Sequence, residues 1–367
     1  MAQIKDIQVK NYRAFEDFSM SGLARVNLLV GKNNCGKTSL LEALQIFASG
    51  GHPRVLWDIG WERGELILKA DSEAERAGPE LDPGFFYRNH EIDSGSSFEI
   101  SGNNGLDDTI SFSIIEMDTS DDEEDLFEDD PNYEQTLSLS IKTKRLDRPL
   151  RLSLSHSNGI IMSPRRFKII DLDEKAIPTT FIRTKSLDHE EMGNLWNSIA
   201  LTPEEDEIVG ALRILDPKVE RIAFLSLDLR RFRSSRRGIV LKLKDSDVPM
   251  PLGSLGDGMH RLLALTLAVL QNENGILLVD EIDTGLHYTS MPDMWKLLLR
   301  VAERRNVQIF ATTHSWDCVM GLAKVCETDT VLQDQVSMHR IESDATQSVV
   351  YSGEELITVA KEGIEPR

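Results

Sequence analysis

The sequence predicts an α/β fold that is interrupted by a partly β-rich lobe, and three observations lead to this prediction. An apolar run, Val26–Val30, is followed by a glycine-rich segment and then by good helix formers. A second apolar run, Ile276–Val279, ends in two acidic residues. Between the two runs, several segments alternate apolar and polar residues, which is the period of half-buried strands. Buried strands beside helices indicate an α/β sheet, and the alternating segments indicate an antiparallel sheet.

The composition is that of a folded protein with an uneven charge. The chain has 367 residues, 40% of them apolar and 28% charged, with 61 acidic and 41 basic residues and a formal net charge of −20. Eleven of the acidic residues lie in residues 116–134, which leaves the remainder near −9. We predict that residues 116–134 form a solvated acidic loop. The net charge argues against a protein that coats nucleic acid, but it does not exclude a local basic face that binds nucleic acid.

Two further features bear on location. The sequence contains no apolar run of the roughly 18 residues that a membrane span needs, and its first residues lack the apolar core of a signal peptide. Its three cysteines, Cys35, Cys318 and Cys326, are too few and too scattered for a disulfide framework. We therefore expect a cytoplasmic protein that makes no contact with a membrane.

The middle of the chain carries most of the strand signals. The alternating or apolar segments are residues 98–100, 109–114, 137–141, 150–154 and 167–170. They predict an antiparallel sheet across residues ~85–175 with one face toward solvent. Helical patterns follow at residues 190–199 and 204–214.

These signals divide the chain into three segments. Residues 1–70 and 219–367 are predicted to form the two parts of one head. Residues 71–218 are predicted to be an inserted variable lobe, which is β-rich at residues ~85–175 and helical at residues ~186–218.

The glycine-rich segment is a phosphate-binding pattern. Residues 31–38 read G-K-N-N-C-G-K-T, which matches G-x-x-x-x-G-K-[ST] without deviation. In such a P-loop, backbone N–H groups wrap the phosphates and the helix N-terminus adds positive potential. Lys37 is predicted to reach the β- and γ-phosphates and Thr38 to hold Mg²⁺. We therefore expect ATP and Mg²⁺ at this loop.

Acidic and histidine side chains follow two other predicted strands. Asp280 and Glu281 end an apolar run, so Asp280 is predicted to ligate Mg²⁺ beside Thr38, and Glu281 to polarise the attacking water. A third predicted strand, residues 307–313, is followed by His314. A polar residue at the carboxyl end of a strand in an open α/β sheet lies where ligands bind. Lys37, Glu281 and His314 are therefore the predicted catalytic residues.

A Gly/Ser-rich turn precedes the Asp280 strand. Residues 251–260 read P-L-G-S-L-G-D-G-M-H and lead into a helical pattern. The N-terminus of that helix is a second place where an anion can bind. Taken alone, the segment is better explained as a plain helix cap.

In this order, the motifs resemble an ABC-type P-loop ATPase head of the RecF/SMC/OLD-like branch, and they are most similar to prokaryotic AAA15-type ATPases. The matching segments beyond the P-loop are N-Y-R-A-F at 11–15, D-E-I-D-T-G-L-H at 280–287, T-T-H-S at 312–315 and E-G-I-E at 362–365. The resemblance covers residues ~1–70 and ~220–367. It implies an α/β ATPase head that is split by an inserted, partly β-rich lobe.

The resemblance also implies a role for each motif. ATP is expected between the heads of a head-to-tail homodimer, where His314 contacts the γ-phosphate and Arg13 contacts the nucleotide. Ser254, Gly256 and Gly258 are expected to approach the γ-phosphate on the opposing protomer. The expected phosphate-binding residues are Gly31, Asn33, Asn34, Cys35, Gly36, Lys37, Thr38 and Ser39.

Three positions depart from the family pattern. Alignment of residues 255–259 on L-S-G-G-Q puts Gly256 where the serine belongs and leaves Ser254 two residues early, so either can fill that role. His287 replaces the aspartate expected at the end of the D-loop, as is common in OLD-like members. A Q-loop glutamine cannot be placed, because Gln45 lies too early, on the first predicted helix.

One basic cluster has three open interpretations. Its arginines fall within eight residues that also contain Phe232, and they are Arg230, Arg231, Arg233, Arg236 and Arg237. The cluster can track a DNA or RNA backbone with Phe232 stacking on a base. It can instead dock an acidic protein or the chain's own acidic loop, or it can be a solvated connection between strands.

Three functions compete. The first is an ATP-hydrolysing regulatory subunit that gates a separately encoded effector in a prokaryotic system of antiviral defence or DNA maintenance. The second is a RecF-like ATPase that acts directly on DNA. The third, an OLD-type nuclease, is less favoured, because the 53 residues after His314 contain no new acidic strand-end cluster. An AAA+ module, a GTPase and an ABC transporter fit the motifs less well.

Overall fold

The computed structural model describes residues 3–67, 79–103, 107–116, 137–155, 157–161, 176–225 and 238–365. The strands within these residues are β1 (Asp6–Tyr12), β2 (Phe15–Ser21), β3 (Val26–Val30), β4 (Leu66–Ile67), β5 (Glu80–Leu81), β6 (Ser97–Asn103), β7 (Asp107–Glu116), β8 (Leu137–Lys142), β9 (Leu150–Ser153), β10 (Ile160–Ile161), β11 (Thr179–Ile182), β12 (Val219–Leu225), β13 (Gly238–Leu243), β14 (Met250–Pro251), β15 (Ile276–Val279), β16 (Gln308–Thr312), β17 (Val336–Arg340) and β18 (Val349–Ser352).

Helices alternate with strands in the second half of the chain. The α-helices within the described ranges are α1 (Lys37–Ala48), α2 (Pro53–Arg63), α3 (His189–Asn197), α4 (Glu204–Leu212), α5 (Asp257–Gln271), α6 (Met291–Arg305), α7 (Trp316–Thr328), α8 (Thr330–Gln333) and α9 (Gly353–Lys361). Short 3₁₀ turns lie at Pro83–Phe86, Leu252–Leu255 and Tyr288–Ser290.

A mainly parallel sheet forms the centre of the fold. Its strand order is β11-β15-β16-β3-β17-β18, and all neighbours run parallel except the antiparallel pair β17 and β18. Every residue of β3 is buried, because neighbouring strands flank it on both sides and other layers cover both of its faces. The carboxyl ends of β3, β15 and β16 meet at one edge, which brings together the P-loop and the residues that follow β15 and β16.

The central sheet separates two hydrophobic cores. Val26, Leu28 and Val30 face a core that is built largely from helices α5, α6 and α7. Leu29, between them in sequence, faces the opposite core, which contains α1. This alternation follows from the two-residue side-chain period of a strand. Because both faces of β3 are covered, four of its five residues are apolar.

The second core lies between α1 and an antiparallel sheet with the strand order β2-β1-β6-β7-β8-β9. The predicted strands at residues 98–100, 109–114, 137–141 and 150–154 are confirmed as parts of β6 to β9. Phe98 and Phe112 stack with ring centroids 4.4 Å apart on the face that packs toward Phe47. The predicted strand at residues 167–170 and, apart from its first residue, the acidic loop at residues 116–134 lie outside the described residues.

Two pairings cross the predicted segment boundaries. Strand β1 pairs with β6, so the N-terminal hairpin and the middle segment share one sheet. Strand β11 pairs with β15 and is therefore part of the central sheet. The predicted helices at residues 190–199 and 204–214 are confirmed as α3 and α4. The division at residues 70 and 218 stays a prediction. If it is right, β1 with β6 and β11 with β15 are strand pairs between the inserted lobe and the head.

Every helix in the described part of the chain is too short or too polar to span a lipid bilayer.

Candidate nucleotide-binding site

The P-loop joins β3 to α1, and two of its glycines are required by close approaches. Gly31 has φ +148°, and a Cβ atom there would lie 2.3 Å from the carbonyl oxygen of Ile341. Gly36, which caps α1 with φ +95°, would place a Cβ 2.3 Å from Cζ of Phe15. Asn34 adds a third positive φ, 62°. The loop is therefore a tight turn of main-chain N–H groups at a helix N-terminus, which is the form that cradles phosphates.

Lys37 closes this loop on itself. Its ammonium group donates to the carbonyl oxygens of Gly31, at 2.8 Å, and Lys32, at 2.9 Å, and the side chain is almost fully buried. A phosphate bound in the loop would compete with these carbonyls for the same N–H donors. Lys37 therefore lies where the pattern predicts, beside the phosphate cradle.

Asp280 lies at the centre of a cluster of hydroxyl groups. The Thr312 hydroxyl donates to its Oδ1 at 2.7 Å, and the Thr38 hydroxyl lies 3.1 and 3.2 Å from its two carboxylate oxygens. The Thr184 hydroxyl lies 3.4 Å from Oδ2. These groups are hard oxygen ligands, and only one of them is a carboxylate. Such a small number of protein ligands suits Mg²⁺, because Mg²⁺ keeps several waters and takes further ligands from phosphates. The residues present therefore fit the predicted ion, and Thr38 and Asp280 would be its protein ligands.

Glu281 and His314 form a pair beside that cluster. His314 Nδ1 lies 2.7 Å from Oε2 of Glu281, and the two side chains are 55% and 23% exposed. Glu281 has φ 51°, and its N–H donates to the Thr312 hydroxyl at 2.9 Å. Burial raises the pKa of Glu281, and the nearby His314 offsets part of that increase. A half-buried carboxylate with a raised pKa at the edge of a phosphate site suits a proton acceptor for an attacking water.

Arg13 lies in a buried ion-pair network. Its guanidinium donates to both carboxylate oxygens of Glu65, at 2.7 and 2.9 Å, and its Nε lies 3.2 Å from Glu42 of α1. Arg63 and Arg183 reach the same Glu42 carboxylate, at 2.6 and 3.7 Å. The structure thus gives Arg13 protein partners, and its predicted contact with nucleotide requires those pairs to open.

The Gly/Ser turn lies on the surface. Leu252–Leu255 form a 3₁₀ turn, and Gly256, with φ 93°, begins α5. Ser254 and Gly256 are exposed, and a Cβ added at Gly256 would meet open space. Gly258 is packed instead, because a Cβ there would lie 2.6 Å from the carbonyl oxygen of Gly285. The turn therefore presents Ser254 and Gly256 outward and rests on the loop that follows β15.

Sequence reasoning missed three polar residues at the site. Thr312 and Thr184 are the hydroxyl partners of Asp280, and Arg261 of α5 binds main-chain carbonyls at the ends of β11 and β15. Thr184 lies just after the carboxyl end of β11, where its hydroxyl is beside Asp280. Strand β11 has only four residues and no acidic or glycine signature, so the sequence carried no signal for it.

The five arginines of the basic cluster, Arg230, Arg231, Arg233, Arg236 and Arg237, lie outside the described residues. The structure therefore leaves the three interpretations of that cluster open.

Comparison with known families decides the class of the protein. A family model described as "AAA domain, putative AbiEii toxin, Type IV TA system" matches residues 26–317, which contain the P-loop, Asp280, Glu281 and His314. The chain belongs to this family, AAA_21. The matched range covers most of the chain, and the AAA_21 assignment agrees with the order of the motifs.

Relatives of the AAA_21 chain carry ATPase and repair names. It is 22% identical over 384 residues to an "ATP/GTP phosphatase" of Helicobacter pylori (strain ATCC 700392 / 26695), with 96% of each chain covered. It is 47% identical over 82 residues to "DNA replication and repair protein RecF" of Bacillus cytotoxicus, with 22% of each chain covered. Its fold resembles the crystal structure of an SMC head bound to the C-winged helix domain of ScpA, with TM-score 0.52, 13% identity and coverage of 96% of this chain and 99% of that one.

These findings confirm the fold and the reaction class. The chain is an ABC-type P-loop ATPase head of the RecF/SMC type, with antiparallel strands added to an α/β core. It uses ATP and hydrolyses it.

Proposed function

We propose that this ATPase is a regulatory subunit that works as a homodimer, with ATP and Mg²⁺ bound between two heads. One observation carries the proposal. Each chain gathers Lys37, Asp280, Glu281 and His314 at one sheet edge, while its Ser254–Gly256 turn faces solvent. A helix N-terminus that presents a hydroxyl and a glycine outward suits the γ-phosphate of a nucleotide on another chain. Two heads arranged head to tail would complete two such sites.

The proposed mechanism assigns a task to each group. Lys37 leaves the carbonyls of Gly31 and Lys32 and binds the β- and γ-phosphates. Mg²⁺ neutralises charge on the phosphates when it is bound, and Thr38 and Asp280 would hold it. Glu281 accepts a proton from the attacking water while His314 keeps the carboxylate in place at 2.7 Å. Catalysis is then mostly positioning and charge stabilisation around an in-line attack.

Closure of the dimer on ATP is the proposed output, and a separately encoded effector is the proposed reader. Two findings support this proposal. The solved SMC head that resembles this chain is bound to a domain of another protein, ScpA. The family description, "AAA domain, putative AbiEii toxin, Type IV TA system", associates the family with a toxin–antitoxin system. We place the chain in a cytoplasmic prokaryotic system of antiviral defence or DNA maintenance, where ATP-driven closure changes the partner's activity.

Direct action on DNA is the second candidate function. The local 47% identity to a RecF protein favours it. Replacement of Arg230, Arg231 and Arg233 by glutamate should then abolish stimulation of ATP turnover by DNA, because those side chains would bind phosphates. An unchanged response to DNA would exclude this version and leave the effector-gating version.

Replacement of the proposed base tests the dimer mechanism. Glu281→Gln keeps the shape of the side chain but removes the proton acceptor, so turnover should be lost and an ATP-bound dimer should accumulate. Analytical ultracentrifugation with ATP and Mg²⁺ measures the dimer, and phosphate release measures turnover. Glu220→Gln, at an exposed position of β12, is the matched control and should behave like the native chain.

A second variant separates dimer closure from nucleotide binding. Ser254→Arg adds a long side chain to the exposed turn, so each head should still bind ATP while dimer formation and turnover are lost. ATP binding is measured by fluorescence of a labelled analogue. Persisting hydrolysis by monomeric Ser254→Arg would overturn the shared-site mechanism.

A further inference from the structure

Arg261 is a buried arginine whose hydrogen bonds all go to main-chain carbonyls. It lies in the second turn of α5 and is 2% exposed. Its Nη1 donates to the carbonyl oxygen of Arg183 at 2.8 Å, and its Nη2 donates to those of Asp280 at 2.6 Å and Glu281 at 2.9 Å. A buried guanidinium is costly unless its donors are used. Both Nη groups of Arg261 are used while its Nε has no partner among the described residues, so the Nη contacts define what this side chain holds in place.

Two of the three carbonyls belong to the residues that carry the chemistry. Asp280 is the expected Mg²⁺ ligand, and Glu281 is the proposed base. Glu281 also has φ 51°, a conformation that residues other than glycine rarely adopt and that persists only when the surroundings enforce it. The surroundings do so from two sides, because Thr312 accepts from the N–H of Glu281 and Arg261 donates to its carbonyl oxygen.

The same helix carries the exposed turn. Gly256 caps α5, Arg261 follows five residues later, and Gly258 packs against the carbonyl of Gly285. The turn, the first two turns of α5 and the loop after β15 are therefore held together by close packing and hydrogen bonds. Arg261 is the side chain on this helix that hydrogen-bonds directly to the carbonyl of Glu281.

We propose that Arg261 is a positioning residue for ATP hydrolysis. It holds the main chain of Glu281 in its left-handed conformation, so that the carboxylate faces the attacking water, and it couples that conformation to the Ser254–Gly256 turn of the same chain. The inference rests on the proposed function, since it takes Glu281 as the base and the turn as the contact with a second chain. Arg261 itself touches neither ATP nor water in this role.

The positioning role predicts a defect in the rate and not in binding. In Arg261→Gln, the carbonyl of Glu281 loses its charged donor, so the Glu281 carboxylate is no longer held in one orientation. A misplacement of about 1 Å at a reacting group costs about 100-fold in rate, so kcat should fall by about 100-fold. The dissociation constant of a labelled ATP analogue should equal that of the native chain, because the P-loop is untouched. Arg54→Gln, at an exposed arginine of α2, is the control and should leave both quantities unchanged.

Two further variants separate positioning from a merely structural role. Arg261→Lys keeps one charged donor, so its kcat should lie between those of Arg261→Gln and the native protein. Millimolar guanidinium should restore turnover to Arg261→Ala and should leave the turnover of the native protein unchanged. Thr312→Val removes the other anchor of Glu281 and should also lower kcat; its nucleotide affinity is not a criterion, because Thr312 donates to Asp280 as well. If kcat and affinity fall together in the Arg261 variants, or if kcat is unchanged in them, Arg261 is not a positioning residue.

The outcome is distinguishable from failure of the proposed function. If Glu281→Gln hydrolyses ATP at the native rate or traps no dimer with ATP, the proposed function fails whatever Arg261 does. If Glu281→Gln behaves as expected and Arg261→Gln shows native kcat at an unchanged unfolding temperature, only the inference on Arg261 fails.

Discussion

A buried histidine in β17 makes the stability of this protein depend on pH in a calculable way. His339 is fully buried, with its ring nitrogens 3.1 Å from the Ser348 hydroxyl and 3.0 Å from the Ser337 hydroxyl. Both partners are neutral hydroxyls, so a charge on the ring has no compensating anion among them. Burial therefore lowers the pKa of His339 to about 4.

The size of the effect follows from linkage. In the unfolded chain, a histidine has a pKa of about 6.5, so between about pH 6.5 and about pH 4 the unfolded state binds a proton that the native state does not. The free energy of unfolding therefore falls as the pH is lowered through this window and is fully retained above it. A difference of about 2.5 pKa units corresponds to roughly 3 kcal/mol, which is a large share of a typical stability of about 5–15 kcal/mol.

Urea unfolding from pH 7.5 to pH 4, followed by circular dichroism, measures this loss. The matched variant is His339→Gln, which keeps hydrogen-bonding atoms for the two serines but cannot titrate. Other groups titrate in both proteins, so the difference between the two pH profiles isolates His339. We expect the native protein to lose roughly 3 kcal/mol more than the variant over this range.

Parallel profiles for the two proteins would refute the reasoning. They would mean that His339 binds its proton equally in the native and unfolded states, so that burial among neutral hydroxyls does not disfavour the imidazolium.

Three further predictions concern the site. Burial raises the pKa of Glu281, and the base acts when it is ionised. In a pH–rate profile, the acidic fall of kcat should therefore have its midpoint above the ordinary glutamate pKa of about 4.3. Gly31→Ala should abolish ATP binding in calorimetry while the fold is retained, because the new Cβ would lie 2.3 Å from the Ile341 carbonyl. Glu42→Gln should cost about 3–5 kcal/mol in urea unfolding, because it leaves Arg13 with one carboxylate fewer in a buried network.

Each of these has a result that contradicts it. If kcat falls with a midpoint at the ordinary glutamate pKa, burial does not raise the pKa of Glu281. Normal ATP affinity in Gly31→Ala would mean that the loop relaxes away from Ile341. A loss below about 1 kcal/mol in Glu42→Gln, comparable to an exposed pair such as Arg54 with Asp58, would show that the network is not needed for stability.

The motifs could be predicted because their chemistry is local. Residues 31–38 require a tight turn between a strand and a helix, and Asp280 and His314 each follow a segment whose pattern indicates a buried strand. The antiparallel strands were predictable for the same reason, since alternation with period two is a property of each strand alone. The secondary structure of each of these segments could therefore be predicted without knowing which segments pack beside it.

The pairings and the buried polar partners could not be predicted in this way. The pairing of β1 with β6 joins segments about 90 residues apart and leaves no mark in either segment. Arg261 reads as an ordinary helical arginine, because its partners are carbonyl oxygens, which every residue has. Arg13 resembles a nucleotide contact in sequence, yet its charge is balanced by Glu42 and Glu65, which no spacing rule connects to it.

The position of β3 in the central sheet has a consequence for synthesis of the chain. Its two neighbours, β16 and β17, leave the ribosome about 280 residues or more after it. At about 5–20 residues per second, this mostly apolar strand waits roughly 15–60 s for its partners. During that time the nascent chain exposes an unpaired strand of the kind that promotes aggregation. The ATPase site is therefore among the last parts of the protein to form, and chaperone occupancy of nascent chains should be highest before β16 emerges.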